Sequence, residues 1–265
     1  FGVWLLVGLG MIGGLEALYA WSSTPAVAGI TTDGRVAAFN LDGEGSLAVW
    51  FSSVSLLLAG LVAVLVYTIR RHKTDDYHGY YRVWMWAAMC WLLMSIDETA
   101  SLHEGFAGMM TYVTGTAVYG DGSVWWVLPY FFLLGAVGSR LLVDMRRCRP
   151  SSATLLAAAG CYALAVLTQV LGDGLVRAVM LEEGAEMLGD LLLLLAMGVH
   201  ARHVILDAEG LLPQRRLESD RPPYQSEAGL ASGTQDWIAV DSPHGTPQPL
   251  FRRRSRTVEP EPMDT

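Results

Sequence analysis

The sequence predicts an all-α fold: a polytopic bundle of about six transmembrane helices followed by a disordered C-terminal tail. Three observations predict it. Of 265 residues, 52% are hydrophobic and the mean hydropathy is +0.34, more apolar surface than one soluble core needs. Apolar stretches of spanning length occur at roughly 1–21, 46–69, 83–108, 124–143, 152–172 and 183–206. Beyond about Ile205 the character changes, and residues 207–265 hold eight of the eleven prolines with many charges and little apolar periodicity. In lipid only a helix or a closed barrel satisfies its own backbone, and the alternation of a barrel strand is missing here. The chain therefore divides into a six-helix domain over 1–206 and a tail over 207–265. The tail lacks the apolar content to offset its ordering entropy.

Each span carries a local signature. Span one has Gly10 and Gly14 four apart, which permits close helix approach. Span two ends on Arg70 and Arg71, followed by Lys73 and Arg82. Span four ends before Arg146, Arg147 and Arg149, and span six carries Arg202 at its end and is followed by Arg215 and Arg216. The connections near 22–45, 109–123 and 173–182 hold only Arg35 and Arg177. By the positive-inside rule the basic connections are cytoplasmic, so the chain is expected to be a multi-pass protein of the cell membrane with both termini inside.

Span three is the unusual one. From Val83 to Ile96 an apolar run of only 14 residues precedes Asp97, Glu98, His103 and Glu104. They supply about 21 Å of helix against a hydrocarbon core of roughly 30 Å. Ionisable groups held at that depth need a partner, a proton or a metal ion. Span six begins with a second acidic stretch, Glu182, Glu183, Glu186 and Asp190, with Glu182 and Glu183 expected in its first turn. Asp97, Ser101 and Glu104 share one helical face, and Glu183, Glu186 and Asp190 share another. With Glu16, Gln169 and Asp173, the topology brings these groups to one depth on the outer side.

Nine acids then face mainly Arg177 and His103 as counter-charges. Like charges in low dielectric oppose one another's ionisation, so either protons or a cation must sit among them. Carboxylates with one imidazole suit a divalent ion such as Fe, Mn or Zn. The expected ligands are Asp97, Glu98, His103, Glu104, Glu183 and Glu186, with Glu98 or Glu104 free to act as a general base on bound water. The function expected is a membrane-embedded, metal-dependent hydrolase or oxidase acting on a lipid or other amphiphile. A scaffold or sensor whose tail binds a protein partner is the alternative, and a proton or cation transporter a further one.

Other classes are excluded or receive no support. Cys90, Cys148 and Cys161 show no CxxC or zinc-like spacing and read as packing residues. No zincin motif, phosphate loop, dinucleotide fingerprint or Gly-x-Ser-x-Gly elbow occurs. The tail's Arg252, Arg253, Arg254 and Arg256 lack interleaved aromatics, so no nucleic-acid binding is expected. His200 and His203, flanking Arg202, read as an interfacial basic cluster.

Overall fold

Eight α-helices form among the described residues of the computed structural model, which are 1–31, 36–41, 43, 45–72, 79–118, 122–171 and 176–211, and no strand occurs among them. They are α1 (Gly2–Ser22), α2 (Pro25–Ala28), α3 (Leu47–Arg71), α4 (Arg82–Ala100), α5 (Leu102–Thr114), α6 (Val124–Asp144), α7 (Arg149–Leu171) and α8 (Val176–Ala208). Arg35, Lys73, Asp173, Arg215, Arg216 and the tail from residue 212, with its basic run, lie outside the described residues.

Five helices are long and apolar enough to cross a membrane: Gly2–Ser22, Leu47–Arg71, Val124–Arg147, Arg149–Gln169 and Arg177–Ala208. The expected third span is the exception, and it is also not one helix. It breaks at Ser101, the only non-glycine residue of positive φ (45°) among those described, into α4 of 19 residues and α5 of 13. α4 is about 28 Å long, close to the thickness of a hydrocarbon core. Asp97 and Glu98 in its last turn lower its apolar character.

Span six also differs from its expected bounds. α8 is 33 residues long, so Glu182 and Glu183 stand about two turns inside it. A helix dipole acts over the first turn only, so it does not account for these acids.

α8 is the axis of the bundle. α1, α3 and α7 all pack on it, while α3 also packs on α4, and α6 packs on α4 and α5. The main core joins Leu56, Ala59 and Ala63 of α3 with Trp84, Ala88 and Trp91 of α4, Leu155 and Ala158 of α7, and Leu193, Ala196 and Met197 of α8. A second cluster, Ile12, Leu15 and Tyr19 with Phe51, Met187 and Leu191, seats α1. Ser151, fully buried, donates to the Ala196 carbonyl at 2.9 Å and ties α7 to α8. Ser46 opens α3 by accepting from the Val49 amide at 3.2 Å, one of the donors a helix start leaves unpaired.

One close approach on α8 depends on glycine. A Cβ at Gly189 would stand 3.1–3.2 Å from the Tyr162 ring, whereas one at Gly198 would meet nothing within 4 Å. Gly189→Ala is therefore expected to displace that ring and cost about 1–3 kcal/mol, as overpacking does. Gly198→Ala is expected to be neutral or to stabilise by up to about 1 kcal/mol through helix propensity. Chemical denaturation of the two variants in one detergent measures the contrast.

Candidate functional site

The break at Ser101 builds the first half of the site. A helix start leaves its first amides unpaired, and Ser101 itself makes no side-chain cap. Asp97, one turn back in α4, supplies it: its Oδ1 accepts from the His103 amide at 2.7 Å. The same carboxylate accepts through Oδ2 from His103 Nδ1 at 3.2 Å and from the Tyr130 hydroxyl of α6. Asp97 is 6% exposed. Trp126 lies against the His103 ring at 4.9 Å and edge-on to Tyr130 at 5.7 Å. An imidazole held in this way points one nitrogen at the carboxylate and leaves Nε2 for other chemistry.

The second half comes from α8. Asp190 is 1% exposed; its Oδ1 accepts from the Tyr162 hydroxyl of α7, and Ser52 of α3 lies beside it. Its Oδ2 has no hydrogen-bond partner among the described residues. Burying such an oxygen unpaired costs on the order of 1–3 kcal/mol, more if it is charged.

The two halves come within electrostatic reach of each other. Glu98 lies within electrostatic reach of Glu183, Glu186 and Asp190, and Glu186 within reach of Asp97 and His103. α3 bridges them from the side, where the Ser95 hydroxyl donates to the Ser53 carbonyl at 2.8 Å and Ser53 donates back at 2.9 Å.

The expected site residues thus fall into two groups. Asp97, Glu98, His103, Glu183 and Glu186 come together. Glu104 does not join them on Asp97's face: the break at Ser101 destroys the continuous-helix spacing, and Glu104 is exposed in the first turn of α5. Arg177 is likewise exposed, so the base facing Asp97 and Glu186 is His103. The expected divalent ion finds no ready cage: among the described residues no three His, Cys, Asp or Glu side chains gather in a group able to hold a metal. Asp97 spends its oxygens on His103 and Tyr130.

The other end of the bundle holds a separate polar group. Arg70 pairs with Asp144, which also accepts from Trp84 Nε1 at 2.8 Å. His200 stacks on Trp84 at 4.6 Å and is 3% exposed, so it is a core residue and not part of an interfacial cluster. Sequence reasoning missed Tyr130, Tyr162 and Ser52. A tyrosine inside an apolar span is itself a signal, because its buried hydroxyl needs a partner.

His103 sits in α5, outside the spanning helices. Its hydrogen bond to Asp97 pushes its pKa above the usual imidazole value, the charges of Asp97, Glu104 and Glu186 add to this, and burial opposes them in part. A raised folded-state value contributes stability that is complete below the unfolded value of about 6.5 and is lost as pH rises through the folded one. The His103 ring resonances are therefore expected to titrate above about 6.5 in the native protein and to move down in Asp97→Asn. Nuclear magnetic resonance of the labelled imidazole checks it, and coincident titrations would contradict it.

No curated protein and no solved structure matches the chain. A family model does match, over residues 3–201, a range that contains every site residue named above. The chain belongs to the family described as Domain of unknown function (DUF8692).

Proposed function

We propose that this end of the bundle is an acid–base site at the outer face of the cell membrane that carries out hydrolysis on an amphiphilic substrate. The observation that carries the reading is the Asp97–His103–Tyr130 contact placed opposite the acids of α8. Asp97 fixes the ring so that His103 Nε2 takes the proton of an attacking water, the general-base role an oriented imidazole fills. A protonated carboxyl of the Glu98/Glu186 pair returns a proton to the leaving group. That pair is suited to holding one, since partly buried like charges resist joint ionisation.

The orientation follows from charge. Arg70, Arg71, Arg146 and Arg147 belong to the end opposite the acids, and positive ends stay inside. A transport path is the weaker reading. Between Asp190 and His200, about 15 Å along α8, the core is filled by Leu193, Ala196 and Met197. A tail that recruits a partner concerns residues outside those described. An iron, manganese or zinc centre is the direct rival.

Infrared spectroscopy of the purified full chain at neutral pH, combined with elemental analysis, separates the two. A protonated-carboxyl carbonyl band that disappears in Glu98→Gln or Glu186→Gln, in metal-free protein, is the expected result. Stoichiometric metal with no such band would overturn the proposal.

A further inference from the structure

A crevice runs between α1 and α7, floored by α8. Leu9 and Ile12 of α1, Leu164 of α7 and Leu188 of α8 line it, and its volume is about 230 Å³. Leu9 and Leu164 at its rim are 42% and 40% exposed, on faces of helices apolar enough to lie against lipid. The crevice therefore opens sideways, toward acyl chains.

Its one acidic wall residue is Glu16. The Glu16 carboxylate lies directly over Gly184 of α8, where even a Cβ would collide with its oxygen. Gly184 is thus the space that lets a carboxylate sit at the crevice wall. Among the described residues no hydrogen bond or ion pair engages Glu16; burial is the only influence on it. A half-buried carboxylate without a counter-charge, at one wall of an apolar slot, has an electrostatic demand that an alkyl chain alone leaves unmet.

We infer that the α1–α7 crevice is a binding site for a single-chain amphiphile with an amine headgroup, its ammonium on Glu16 and its chain along Leu9, Leu164 and Leu188. The two halves of such a ligand match the two chemistries of the slot. An ammonium compensates the carboxylate, and a chain replaces disordered bulk lipid against the apolar wall. The occupant is neither an anionic lipid, which Glu16 repels, nor a second copy of the chain, whose α1 face would offer another Glu16. The inference stands on residues apart from the Asp97–His103 group, so it survives or fails independently of the acid–base reading.

Native mass spectrometry of the full chain in nonionic detergent, titrated with dodecylammonium, dodecanol or dodecanoate, tests it. A single dodecylammonium is expected to bind about fivefold more tightly than dodecanol, the effect of one partly screened charge pair, with dodecanoate weakest. Glu16→Gln is expected to erase that preference while dodecanol binding persists. Gly184→Ala, which displaces the carboxylate, should do the same, so the test does not hang on one variant. Leu164→Trp, which fills the slot, should lose both probes, with retained helical circular dichroism as the check on folding. Equal binding of ammonium and alcohol by the native chain, or a preference that survives Glu16→Gln and Gly184→Ala, overturns it. So does a chain that binds no probe and appears only as a dimer.

Discussion

The constraint on which the rest of this structure depends is the cost of a carboxylate inside an apolar bundle. Asp97 and Asp190 are 6% and 1% exposed, on helix faces whose buried residues are mainly leucine, alanine, methionine and tryptophan. Each is met by a tyrosine from a neighbouring helix, Tyr130 from α6 and Tyr162 from α7. These pairings help to fix how the outer helices dock. A buried hydroxyl and a buried carboxylate each need the other more than either needs water, because neither finds a substitute in a hydrocarbon interior. Glycine serves the same end at Gly189, which yields its side-chain volume to the Tyr162 ring.

The bend at Ser101 shows how local backbone strain is balanced by site chemistry. A non-glycine residue in the left-handed region costs on the order of 1–2 kcal/mol. That turn lets α5 restart at an angle at which Asp97 caps it and His103 swings back over Asp97. One carboxylate therefore satisfies an orphan amide, an imidazole and a phenol. A straight helix would have aligned Asp97 with Glu104, as its spacing implied, and would have sent His103 elsewhere.

Much of the architecture was legible because hydropathy and charge follow directly from the bilayer. Apolar length located the helices, and arginine placement separated the basic end from the acidic one. The 3.6-residue period also put Glu183, Glu186 and Asp190 on one side of α8, the side whose acids lie within electrostatic reach of Glu98. What could not be read was set by tertiary contacts. The break after Ala100 has no proline or glycine to announce it. The reach of Tyr162 to Asp190 and the burial of His200 against Trp84 depend on helix docking that no single-helix pattern encodes. The expected metal cage assumed that acids sharing a depth also converge within coordinating distance. Among the described residues no such group forms, and Asp97 is engaged by His103 and Tyr130 instead.

The two ends of the bundle differ in charge. Arg70, Asp144, Trp84 and His200 form a charge-balanced group, whereas among the described residues the acids opposite outnumber the basic side chains near them. The proposed site requires α4 and α8 to present those acids to each other. The direct measurement is thiol cross-linking in the full-length protein. Glu98→Cys with Glu186→Cys is treated with a short thiol-specific linker, and the products are mapped by mass spectrometry. Ile96→Cys with Glu186→Cys serves as the control, because Ile96 is 55% exposed on the outside of α4. An intramolecular α4–α8 link is expected for the first pair and none for the second. Linking of Ile96→Cys but not Glu98→Cys would contradict it.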